Sequence, residues 1–116
     1  YVVVSADVVA ADDDATAREL ASSYGHWVCG IRSGAGAPPY PDPASTPALS
    51  DTERAAVDDR IRTQFVGAPT TVVDGLRTLA RVTDADELVI TSVTHDFEAR
   101  KHSHELIARE WGLAAA

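Results

Sequence analysis

At 116 residues the chain has room for one domain with a modest core, and it is too short for a closed (β/α)₈ barrel, which takes about 250 residues. Its hydrophobic fraction of 45% is that of an ordinary globular protein, and its formal charge of -8 disfavours nucleic acid and anionic membrane as partners, because both call for a positive surface. The lone cysteine, Cys29, excludes an intrachain disulfide and suggests no thiolate zinc site, so it reads as a packed, inert thiol.

Tyr1–Ala10, YVVVSADVVA, is a valine-rich strand interrupted by Asp7, with a bend or break expected around Ser5 to Asp7. It is far too short to cross a bilayer. Such a strand belongs inside a sheet and covered on both faces. Few strands follow to cover it, and no methionine precedes it. The expectation is therefore a C-terminal piece of a larger α/β enzyme, cytoplasmic, its bare sheet covered by forming a homodimer.

Asp12, Asp13 and Asp14 offer N-caps for a helix presenting Leu20, Tyr24, Trp27 and Ile31 on one face. The helix should stop near Gly30 to Gly34. Residues 34–49 form an irregular excursion, GAGAPPYPDPASTPAL, whose prolines and glycines forbid a continuous helix. It reads as a lid or as a plain surface excursion, with Tyr40 as its anchor. Ser50 and Glu53 make a capping box for a short helix carrying Val57 and Ile61. Gln64–Val66 predicts a short strand ending at Gly67. Pro69 opens a helix with Val72, Leu76 and Leu79 on one side, weakened by roughly 1 kcal/mol at Gly75, a residue that implies close packing. Glu87–Ser92 predicts a strand whose run Leu88, Val89, Ile90 fits burial on both faces. Asp96 caps the last helix, with Phe97, Ser103, Leu106 and Ile107 facing inward and Trp111–Gly112 at its end. Repeated βα units imply a parallel sheet with helical cover.

QFVGAPTTVVDGLRTLARVTDADELVITSVTHDFEARKHSHELIAREWG resembles the C-terminal end of the luciferase-like flavin monooxygenases. The resemblance rests on Gly67, Pro69 and Val72, on Leu76 and Leu79, on Ala85–Leu88 with Thr91 and Ser92, and on Arg100, Ser103 and Leu106–Ala108. The opening VVVSADVVAADDDATARELA is similar to a late strand of that family with its cap and alanine-rich helix. Ala68 stands where the family has Ser or Thr, and Thr83 where it often has glycine. The resemblance implies an α/β fold, a partial (β/α)₈ barrel made of its last parallel βα units. It also implies FMN, or alternatively F420, bound at the C-terminal ends of the strands of a parent enzyme. That enzyme would oxidise a small organic substrate with molecular oxygen. An F420-dependent oxidoreductase and a non-enzymatic α/β domain associating through its sheet are the alternatives. The fragment itself is expected to bind no cofactor tightly and to be inactive.

The C-terminal end of ELVIT is the catalytic face of a barrel, which makes Thr91, Ser92, His95 and Arg100 the candidate cofactor-binding residues. His95 also reads as a solvent-facing loop residue, and Arg100 as half of an ion pair across helices. The catalytic residues are expected upstream. No metal site is expected: His102 and His104 diverge on a helix, and H-S-H-E lacks the spacing of a zinc-binding H-E-x-x-H. The glycines form neither a phosphate-binding loop nor a dinucleotide fingerprint.

Overall fold

The computed structural model describes residues 1–34, 36 and 38–113. β1 (Val3–Ala10) runs without interruption through Ser5 to Asp7, so the bend suggested by the sequence is absent. It pairs in parallel with β3 (Glu87–Thr91), from Val3↔Glu87 to Asp7↔Thr91. Its last three residues pair in parallel with β2 (Phe65–Gly67), one residue beyond the predicted span. The sheet order is β2-β1-β3. β1 and β3 form the long pair, and β2 is a short strand at the C-terminal end of β1. The alternation of strands and helices around an unclosed parallel sheet is that of part of a (β/α) barrel.

Period-2 alternation gives this sheet two unlike faces. Ala6, Val8 and Ala10 pack with Val72, Leu76 and Ile107 against α4 (Pro69–Thr83) and α5 (Phe97–Trp111). The register places Val3, Ser5 and Asp7 beside Glu87, Val89 and Thr91 on the opposite face. That face would line the lumen of a closed barrel. Here Val3 is 51% and Val89 43% exposed. Double-sided burial of Leu88–Ile90 is therefore not observed; β3 is an edge strand with one face bare, and its exposure alternates residue by residue.

The helix expected from Asp14 is two helices, α1 (Asp14–Ala21) and α2 (Tyr24–Arg32). The break falls on two serines whose hydroxyls bond backbone carbonyls. Ser22 donates to Glu19 O at 2.7 Å, and buried Ser23 donates to Pro41 O at 2.8 Å. The Ser22 bond competes locally with the helix ladder, and the Ser23 bond ties the break to the excursion. The break rotates the buried face. Tyr24 and Val28 are buried, Leu20 and Trp27 only half-buried, and Ile31 is exposed.

α2 packs on α3 (Asp51–Ile61) around a second core of Tyr24, Val28 and Val57. Both bonds of the capping box form: Glu53 N–H donates to Ser50 Oγ at 3.2 Å, and Ser50 N–H to Glu53 Oε1 at 3.0 Å. The described part of the 34–49 excursion, which leaves out Ala35 and Ala37, lies on this layer. Tyr40 does anchor it, with its ring 5.9 Å from that of Trp27, whose Nε1 donates to Pro38 O at 3.0 Å. Gly75 is explained by proximity, since a Cβ there would sit 2.8 Å from the Phe65 ring. Phe97 is 62% exposed rather than inward. It lies nine residues before Leu106, about half a turn away around the helix, and rests under Arg100 instead.

Candidate functional site

The three aspartates after β1 do three different things. Asp12 Oδ1 lies 2.8 Å from His102 Nε2 and ties this loop to α5. Asp13 is the N-cap of α1, accepting from Thr16 N–H at 2.7 Å. Asp14 reaches across to α4, accepting from Ala68 N–H at 2.7 Å and from the Thr71 hydroxyl at 3.1 Å. It thereby supplies from another helix a carboxylate where Ala68 has no capping side chain.

The Ala68 backbone bond, followed by the Thr71 bond, lowers the pKa of Asp14 from its ordinary value of 3.8. A lowered folded-state pKa means stability that is full above the unfolded value and lost as pH falls through the folded one. Asp14→Ala should accordingly lower the urea midpoint near neutral pH. The gap to the unsubstituted chain should close on acidification below about pH 4. A gap independent of pH would show that the carboxylate charge is not what matters.

At the C-terminal end of β3 the four candidate residues divide. Thr91, Ser92 and Arg100 line one shallow cleft of about 580 Å³, together with Phe97, Lys101 and His104. Ser92 is buried, and its Oγ has no hydrogen-bond partner among the described residues. Arg100 forms no ion pair among the described residues; its guanidinium stands 5.3 Å over the Phe97 ring. His95 is not in this cleft. It faces the excursion, with Nδ1 3.1 Å from Tyr40 O and Nε2 3.8 Å from Asp42 Oδ2. No cluster of three metal-ligating side chains occurs among the described residues. Nor does any described helix have the length and apolarity to cross a membrane.

A second group was missed by sequence reasoning. Thr91 donates its hydroxyl to Asp7 Oδ1, its register partner on the lumen face. The Tyr24 hydroxyl donates to Asp7 Oδ2 at 3.2 Å, and Arg60 Nη2 donates to the Tyr24 oxygen at 3.0 Å. Arg60 also lies 3.8 Å from Asp7 Oδ2. Burial raises the pKa of the Tyr24 phenol, so it keeps its proton. This network joins both long strands to the α2–α3 layer at the end of the sheet where a barrel does its chemistry. The available signal was Asp7, a charge in the middle of a valine-rich strand.

The α/β architecture, with an unclosed parallel sheet and polar groups at the strand C-termini, is that of part of a (β/α) barrel. No family model matches the chain. An uncharacterized protein, YvbT of Bacillus subtilis strain 168, is 30% identical over 114 residues, 96% of this chain and 33% of that protein. A luciferase-like monooxygenase of Escherichia coli K12 is 32% identical over 107 residues, 91% of this chain and 32% of that one. The solved structure of apo-MsnO8 matches with a TM-score of 0.71 at 25% identity, covering 98% of this chain and 35% of its own. The chain thus spans about a third of the length of the proteins it matches. It is distantly homologous to the luciferase-like monooxygenases, a family of enzymes.

Proposed function

We propose that this chain is the C-terminal portion of a flavin-dependent monooxygenase that oxidises a small organic substrate with molecular oxygen. The observation that supports this most directly is the similarity to a luciferase-like monooxygenase along 91% of the chain. The bare lumen face agrees with it, because Val3 and Val89 need a partner surface. FMN, when bound, would supply the activation of oxygen; F420 is the alternative cofactor. This chain's residues fit one side of such a group. Thr91 and Arg60 provide polar contacts at the strand ends, Val89 an apolar wall, and Arg100 and Lys101 share the cleft beside Ser92 with the Glu105 carboxylate.

A pocket that buries most of a ligand needs walls on all sides. The isolated chain should therefore show no tight FMN complex by fluorescence titration and no activity. Substituting the chain for the matching third of the Escherichia coli relative should give a folded protein that binds FMN and consumes oxygen when supplied with reduced flavin. A folded chimera that holds no FMN would overturn the reading, whereas stoichiometric sub-micromolar binding by the chain alone would mean that its residues form a more complete pocket than one side of a site. We also propose that the isolated chain dimerises over its bare sheet face. Light scattering in a dilution series should show dissociation, and a monomer persisting at high micromolar concentration would refute this and favour an autonomous small domain.

A further inference from the structure

The Asp7 network has a chemical direction that the hydrogen-bond rules determine. A carboxylate only accepts and a guanidinium only donates. Thr91 has one hydroxyl proton, and it is committed to Asp7 Oδ1. Its oxygen therefore has only lone pairs left to offer a ligand in the lumen. Tyr24 is occupied on both sides, donating to Asp7 and accepting from Arg60. Arg60 has one such side-chain bond among the described residues, its side chain is 49% exposed, and its remaining N–H groups can only donate. One carboxylate thus holds a surface acceptor, Thr91, on its Oδ1 and has a surface donor, Arg60, 3.8 Å from its Oδ2.

We propose that Thr91 and Arg60 form a two-point site for the edge of a planar ring with an N–H donor beside a carbonyl acceptor. The N–H meets Thr91 Oγ1 and the carbonyl meets Arg60; Asp7 and Tyr24 are positioning residues that keep these roles from reversing. A simple carboxylate lacks the donor and a simple amine lacks the acceptor, so neither satisfies both points. This inference rests on the flavin reading above, because the pyrimidine edge of FMN, which a deazaflavin shares, has that N–H and carbonyl pattern. It adds which residues read that edge and in which sense. Thr91, a candidate from the sequence, acquires a stated role, whereas Asp7, Tyr24 and Arg60 enter from the geometry alone.

The test is an amide and arginine side-chain NMR titration of the chain with millimolar FMN and with FMN methylated on its ring N–H. The weak binding expected of the isolated chain is within reach of such a titration. FMN should shift the Asp7 and Thr91 amides and the Arg60 Nε–H signal. The methylated flavin should bind about fivefold more weakly, the effect of one lost hydrogen bond. Thr91→Val preserves shape but removes the lone pairs. It should weaken FMN to the level of the methylated flavin and abolish the discrimination, with the amide spectrum still dispersed because Thr91 is exposed. Asp7→Asn, which can donate as well as accept, should reduce the discrimination without removing binding. Discrimination surviving in Thr91→Val would overturn the proposal. Shifts confined to Ser92 and Arg100 would also overturn it, while leaving the flavin reading intact. No shift anywhere would overturn it too, and the chimera's FMN binding then decides the flavin reading separately.

Discussion

Leu76→Ala should destabilise the chain by about 2–5 kcal/mol, read as a fall in the urea midpoint with little change in slope. Leu76 is 1% exposed and sits where α4 meets Ala6, Val8 and Ala10 of the central strand. Truncating it removes apolar burial and leaves a void, and the surroundings collapse only partly around such a void. Folded domains are stable by only about 5–15 kcal/mol, so the change is a large share of the total. α4 and α5 cover one whole face of the sheet, and Leu76 lies within that cover. A loss below about 1 kcal/mol would mean that the α4–sheet contact is not the main core.

Ser103→Ala should cost about 1–3 kcal/mol, well above the average for removing one surface hydroxyl. Ser103 is fully buried, and its Oγ accepts the Ala10 N–H at 2.9 Å. Alanine in its place would leave a buried backbone donor with no partner, the costly case for a hydrogen bond. The specific readout is hydrogen exchange. The Ala10 amide should lose protection by more than the global stability change explains, because its acceptor is gone. Unchanged exchange at Ala10 would show that another acceptor, or water, had taken over. The contact also fastens α5 to the end of β1, three residues beyond Asp7, so the same variant should broaden or shift the Asp7 and Thr91 amides.

Much of this architecture is legible in short windows. The capping box at Ser50 and Glu53, Pro69 in a first helical turn, and the cap at Asp96 each depend on residues within four positions of one another, and each is present. The parallel βα pattern follows from β-branched runs alternating with helical periodicity. The break between α1 and α2 was legible in principle, because Ser22 bonds a carbonyl three residues back. Ser23, however, breaks the helix by bonding Pro41, eighteen residues away, and periodicity carries no such information. Hydrophobicity alone points Phe97 inward, but its angular position on α5, about half a turn from Leu106, turns it to solvent.

The sequence by itself determined the fold class, the order of strands and helices apart from the break between α1 and α2, and the placement of Thr91, Ser92 and Arg100 near the end of β3, since these follow from local periodicity and an ordered series of motifs. Only the tertiary structure decided which face of the sheet is bare, why Gly75 has no side chain, and that Asp14 serves α4 rather than its own helix. It also turned His95 toward the excursion and away from Arg100. Above all it brought Asp7, Tyr24, Arg60 and Thr91 into one network, joining residues 17, 36 and 84 positions apart. The reason is physical: a side chain's hydrogen-bond partners are set by strand register and helix docking, and those arise from burial of apolar surface that polar residues do not themselves signal.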